Sequence, residues 1–246
     1  MLRAIHAEFR KLKRSRIPLW TVAIVVLFPA IAVGSANLFA APKATTSLTF
    51  VRINSQFLAN GLGVILFGFV ASYVFGREYA EGTIEHALTL PIRREYLAIA
   101  KLVVTAVWVM ALTLLAVAVG AATAALFGLN DLSWAYVRTG LQETLTVSLL
   151  ILGTLPLIGL LAMVGRGYLM PMVASAITAT AGLGLAESGW TRWFPWAMPT
   201  AVVGMVLGPP LPMPGLVPGS WVLMAALFVV GVVAIIWYVD WADNPS

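Results

Sequence analysis

The sequence predicts an all-α polytopic membrane protein with six transmembrane helices, and three observations predict it. Of its 246 residues, 61% are hydrophobic and only 10% charged, against about 25% charged in a soluble domain. The apolar residues form continuous runs of about 20, enough to cross a hydrocarbon core of about 30 Å. A membrane barrel would show alternating segments of about ten residues instead, and lipid-exposed strand edges would leave amides unpaired. The basic residues gather beside the runs, as they do at membrane surfaces.

Residues 1–16 read as a basic interfacial helix. Leu2, Ile5, Phe9 and Leu12 recur at steps of three and four, while Arg3, Arg10, Lys11, Lys13 and Arg14 take the remaining positions. Anionic lipid attracts such a helix by about 1 kcal/mol per basic residue. Glu8 serves no purpose in topology and points to an additional protein contact. The first span is 17–39, with Pro29 expected to kink it. It is too long for the apolar part of a cleavable signal, and no cleavage site follows it. The second span is 58–75, the third 96–127, the fourth 141–164 with Pro156 inside, the fifth 169–186 and the sixth 220–241. Together they make one transmembrane domain. Gly61, Gly63 and Gly68 in the second span, and Gly182 and Gly184 in the fifth, are read as close-packing positions, with dimerisation as the alternative.

Placing the N-terminus in the cytoplasm leaves eleven basic residues inside and four outside, Lys43, Arg52, Arg138 and Arg192. That bias puts both termini in the cytoplasm. Residues 76–95 then form a cytoplasmic polar island between two apolar runs. Glu78, Glu81 and Glu85 stand at helical spacing, Leu88, Leu90 and Ile92 supply an apolar face, and Pro91 ends the segment before Arg93 and Arg94. We read a helix built to dock on a partner; a solvated connector is the alternative. On the opposite side, residues 187–219 carry Trp190, Trp193, Phe194, Pro195 and Trp196, suited to an aromatic belt. The apolar patch 201–207 is too short to span and is expected to be re-entrant or interfacial. A loop anchored by its tryptophans is the other possibility.

Several chemistries are excluded. There is no cysteine, hence no disulfide or thiolate metal site. His6 and His86 are the only histidines, and Glu85-His86 lacks the second histidine of a zinc-protease helix. No G-x-x-x-x-G-K-[ST] loop exists to hold ATP. The net charge of +5 belongs to membrane flanks rather than to a nucleic-acid surface. The spans read as holding almost no firm ionisable residue: Glu143 and Arg138 lie at the outer end of the fourth and Arg166 at its inner end. A mid-membrane carboxylate, the mark of ion coupling, is not evident.

The order of these features resembles a known family. A basic amphipathic helix and a first span precede a second span closing in Glu-Tyr-x-x-Gly-Thr-x-x-x-x-Leu-x-x-Pro-x-x-Arg; four more spans follow, with a Phe-Pro-Trp-x-x-Pro loop before the last. It is similar to the permease subunits of type 2 ABC exporters, especially the short six-span permeases of bacitracin- and lantibiotic-type self-protection systems. The resemblance implies an inner-membrane protein of a bacterium or archaeon that forms a homodimer and works with two cytoplasmic ATP-binding cassette subunits. ATP and Mg would bind only in those subunits, so the chain itself holds no cofactor and is not an enzyme. It also implies roles for residues. Leu2 to Arg14 would be the connecting helix, and Glu78, Glu81, Gly82, Thr83, Glu85, Leu88, Leu90 and Arg93 the ATPase contact. Trp190 to Leu207 would be the outer lid. A drug or antimicrobial peptide is the expected substrate. The alternatives are an ABC permease for lipid or polysaccharide, a carrier or channel without ATPase, and an intramembrane enzyme.

Overall fold

A computed structural model describes residues 1–39, 53, 55–83, 94–126, 133–186, 188–203 and 215–241. Among these the chain is helical throughout, without strands: α1 (Leu2–Lys13), α2 (Ile17–Phe39), a π-helical turn (Leu58–Leu62) running into α3 (Gly63–Ala80), α4 (Arg94–Leu126), α5 (Trp134–Val164), α6 (Leu169–Gly184), a 3₁₀ turn (Gly189–Arg192), α7 (Met198–Val203) and α8 (Pro218–Trp241). Four stretches are long and apolar enough to cross a membrane: Ser55–Ala80, Glu95–Leu126, Trp134–Val164 and Pro218–Asp240. The helix α2 continues through Pro29, and α6 is a shorter apolar helix.

The expected spans differ from the helices mainly at two places. The fourth begins seven residues early by sequence standards, at Trp134 rather than residue 141, because Ser133 caps it by accepting the Tyr136 amide at 3.4 Å. The second does not end at residue 75 but runs to Ala80. Its start is also irregular: Asn60 (φ −83°, ψ 41°) and Gly61 (φ 91°, ψ −32°) leave the helical region. Irregular backbone at membrane depth survives only where protein buries it. Gly61 is buried, and a side chain there would meet Leu183 and Ala179 of α6 at 3.3 and 3.5 Å.

The helix α5 is the hub, touching α3, α4, α6, α7 and α8. Its buried Val147, Ile151, Leu155 and Ile158 meet Phe67, Val74 and Phe75 of α3 and Val109 and Leu112 of α4. The apolar windows of α3 and α5 are 72% and 67% buried within the protein, that of α8 only 17%, so α8 is a peripheral helix. Lipid is as apolar as leucine, so helices associate through close packing and hydrogen bonds rather than through escape from water. Both devices are present. Thr113 donates to Ser148 at 2.8 Å, linking α4 to α5, and the Trp108 indole donates to Thr21 at 3.3 Å, linking α4 to α2. Gly68 brings α3 so near α6 that a Cβ would lie 2.3 Å from Ser175 Oγ.

Gly68→Ala is therefore expected to lower stability by about 1–3 kcal/mol through overpacking, whereas Gly184, with open space around it, should accept alanine. Thermal unfolding of the two purified variants in detergent checks the contrast; equal melting points would refute the packing argument.

Candidate functional site

The charged residues concentrate at the end of the bundle where α1 lies. The buried face of α1 passes through Ala4, Glu8 and Leu12, with Ile5 and Phe9 half-buried, while Leu2 is exposed along with Arg10, Lys13 and Arg14. Of the apolar stripe read from the sequence, Leu12 alone is fully buried, and a carboxylate shares its face. The helix rests on α4 and touches α2, so it is docked on the bundle.

Glu8 meets two elements there. Lys11 Nζ donates to Glu8 Oε1 at 2.6 Å and to Glu78 Oε1 at 2.5 Å. Lys101 Nζ, from the first turns of α4, lies 3.2 Å from Glu78 Oε2 and 3.8 Å from Glu8 Oε2, and donates to the Val74 carbonyl at 2.8 Å. The four groups thus form a ring of alternating sign with net charge zero. Glu8, Glu78 and Lys101 are 5%, 6% and 8% exposed. Removing such charges from water costs several kcal/mol each, recovered only when opposite charges and hydrogen bonds surround them. Every oxygen of the two carboxylates faces a lysine here, and Lys101 adds a hydrogen bond to the Val74 carbonyl to its pair with Glu78 and its longer contact with Glu8. Lys11 is partly buried, which pulls its pKa down, but the hydrogen bonds it donates to Glu78 and Glu8, and their charges, outweigh this and hold it above the ordinary lysine value.

Arg77 braces the ring. Its Nη1 donates to the Lys11 carbonyl at 3.0 Å, its Nε to Glu81 at 3.0 Å, and its guanidinium stands 5.6 Å from the centre of the Tyr73 ring, which stacks on Tyr168. One turn later α3 stops. The Gly82 amide donates to the Tyr79 carbonyl and the Thr83 amide to the Glu78 carbonyl at 2.9 Å, with Gly82 at φ 66°. This is a Schellman closure, which needs a residue that accepts the left-handed region, and glycine does so without strain.

Two sequence expectations are corrected here. A single helix carrying Glu78, Glu81 and Glu85 on one face does not form, because Gly82 ends the helix at Ala80. Glu78 also turns inward, opposite two lysines, so its carboxylate is not on a docking face; Glu81, half-exposed beside Arg77, and exposed Thr83 remain at the surface. The positions Glu85, Leu88, Leu90 and Arg93 lie outside the described residues. A third expectation, that the spans hold few firm charges, overlooked Lys101, which sits inside the third. Its signal in the sequence was a lone lysine seven residues beyond Arg94 in an apolar run.

At the far end, Trp190 and Trp193 are exposed, while Phe194, Pro195 and Trp196 are half-buried. Phe194 and Trp196 contact each other at 5.5 Å between ring centres. The Trp196 carbonyl lies where a Cβ on Gly182 would be only 2.6 Å away, and Ala197, Met198 and Thr200 are buried. The turn is held by buried Thr191, whose hydroxyl sits 2.5–2.9 Å from the carbonyls of Leu185, Ala186 and Ser188, and by the Ser220 hydroxyl donating to the Arg192 carbonyl at 2.8 Å. The sequence drew attention to the tryptophans and missed Thr191 and Ser220. Residues 204–207 of the patch fall outside the described residues, and its first three belong to α7, Met198–Val203.

Comparison with known proteins adds two findings. Residues 4–182 match the model of a family described as ABC-2 family transporter protein. Over 181 residues the chain is 28% identical to a bacitracin transport permease protein, BCRB, of Bacillus licheniformis, covering 72% of this chain and 83% of that one. No solved structure matches.

Because Glu78 neutralises buried Lys101 as well as half-buried Lys11, Glu78→Leu should cost about 3–5 kcal/mol, the usual penalty for stranding a buried charge such as that of Lys101. Gly82→Val should cost about 1–2 kcal/mol for its left-handed backbone, without any clash, since the space around Gly82 is open. Melting points in detergent measure both, and an unchanged value for Glu78→Leu would show that the ring is not buried in solution.

Proposed function

Because the chain belongs to the ABC-2 transporter family, its model matching residues 4–182, we propose that this permease is the membrane subunit of an ATP-driven exporter for a hydrophobic or amphipathic compound, a drug or an antimicrobial peptide. The family match carries the proposal. Three further observations support it. The sequence holds no phosphate loop, so energy from ATP has to enter through a separate subunit. The helices around α5 are lined by apolar and small residues, which suits a cargo that partitions into lipid. The relative from Bacillus licheniformis is named for bacitracin transport, and a peptide antibiotic fits that chemistry.

In this reading the chain resides in the cell membrane of its organism with both termini in the cytoplasm, pairs with a second copy of itself, and docks two ATP-binding cassette subunits. The docking segment begins where α3 ends. Glu81 and Thr83 stand at the surface of the turn closed by Gly82, and the chain from there to Arg93 would enter a groove of the ATPase. Closing of the ATPase dimer on ATP would press on that turn and reshape the helices behind it, a population shift driven by the nucleotide's preference for one state. The aromatic turn from Trp190 to Trp196 would cap the pathway at the opposite face.

The purified chain alone should hydrolyse no ATP and should copurify with an ATPase encoded beside it; robust hydrolysis by the isolated chain would overturn the reading. Glu81→Lys should leave insertion intact, since its pair with Arg77 is exposed and worth little. At an interface with the ATPase the same reversal should cost about 2–5 kcal/mol and abolish resistance or export. In this cysteine-free chain, Ser188→Cys should react with an impermeant reagent from outside the cell and Thr83→Cys should not. The reverse pattern would invert the topology and remove Glu81 from the ATPase side.

A further inference from the structure

The alternating ring Glu8–Lys11–Glu78–Lys101 joins three elements that the chain could have left independent. Glu8 and Lys11 come from α1, Glu78 from the last turn of α3, and Lys101 from the beginning of α4. Each lysine bridges both glutamates. Arg77 adds a fourth tie, from α3 to the Lys11 carbonyl. Apolar contacts could have docked α1 with less electrostatic cost, as Leu12 does. What charges add is register. An apolar contact tolerates sliding, whereas an ion pair in a dry site loses most of its stabilisation when its partner moves away.

We infer that this ring makes α1 and the adjoining ends of α3 and α4 a single rigid body, so that displacement of the turn at Gly82 is delivered to α1 and through it to α2. Glu8, Lys11 and Lys101 are positioning residues in this scheme; none needs to touch cargo or nucleotide. The last step follows from connectivity. Only residues 14–16 separate α1 from α2, and that link is tight, with the Ile17 amide donating to Ser15 Oγ at 3.1 Å. Movement of α1 by even a small angle therefore has to move the start of α2, itself tied to α4 by the Trp108–Thr21 hydrogen bond. The inference rests on the proposal that an ATPase pushes on the segment after Ala80, but the ring's mechanical role can be measured separately.

The test uses the paired variant Glu78→Gln/Lys101→Met. It removes one charge of each sign, keeps the site neutral, and leaves Glu8 and Lys11 to pair within α1. Spin labels go on Arg10→Cys and Ala80→Cys, both exposed and outside the ring, in a chain with no native cysteine. In the isolated chain the label-to-label distance should be narrowly distributed, and the paired variant should lose that narrow distribution while Lys101→Arg, which preserves the charge, retains it. In the complex with its ATPase, labels at Val164→Cys paired in turn with Arg10→Cys and Ala80→Cys should both shift when ATP is added. In the paired variant only the distance from Ala80 should shift. A paired variant whose α1 stays in register, or a parent in which ATP moves Ala80 without Arg10, overturns the inference. If ATP moves neither, the ATPase-driven reading falls, and the Arg10–Ala80 measurement on the isolated chain still decides the ring. Should the paired variant fail to reach the membrane, Glu8→Gln/Lys11→Met, which removes both α1 charges and leaves Glu78 paired with Lys101, is measured the same way under the same criteria.

Discussion

Three buried charges that could not stand alone, and a fourth that half-covers them, organise one end of this protein. Glu8, Lys11, Glu78 and Lys101 neutralise one another in a closed ring, and several other features follow from that requirement. The helix α1 has to lie with Glu8 inward, which turns Leu2 outward despite its apolar character. The helix α3 has to continue to Ala80, beyond the end of its apolar run, because Glu78 must reach the lysines. Lys101 has to enter α4 deeply enough to meet it, and the Val74 carbonyl takes the donor that the carboxylates leave over.

The remainder of the bundle is held by proximity rather than charge. Gly68 against Ser175, Gly182 against the Trp196 carbonyl and Gly153 against Met224 are approaches no larger residue would permit. In lipid such approaches matter more than apolar area, because apolar side chains gain little by leaving hydrocarbon for protein. This fits the way α5 collects most of the neighbouring helices while α8, only 17% buried over its apolar window, is apolar throughout the stretch between Ser220 and Asp240. It also explains the position of the π-helical turn. Its freed backbone groups are shielded by α6 and α7, and only glycine at position 61 takes the left-handed conformation cheaply.

The two ends of the molecule are thus built on different physics. The α1 end uses paired charges, which are specific in direction and distance, and it is the end that a water-soluble motor could address. The far end uses aromatic rings and carbonyl-capping hydroxyls around a turn tightly seated on α6.

The sequence by itself determined the helical class and the presence of several membrane-length apolar runs, because hydrocarbon admits little besides helices and each span needs about 20 apolar residues. It also drew attention to Glu8, to the turn at Gly82 and to the tryptophan-rich loop. Family membership was legible in the order of those motifs. What it could not determine was direction. Helical spacing placed Glu78 with Glu81 and Glu85, but a single left-handed glycine ends the helix between them, and the backbone hydrogen bonds of that closure are local to the folded turn. Whether Lys101 was a membrane-edge anchor or a buried counter-ion depended on which carboxylates stood beside it, and those lie 23 and 93 positions away, at Glu78 and Glu8. Pairing across such separations is decided only by tertiary structure, because burial sets the cost of a charge and only the packed helices say which charges share the dry site.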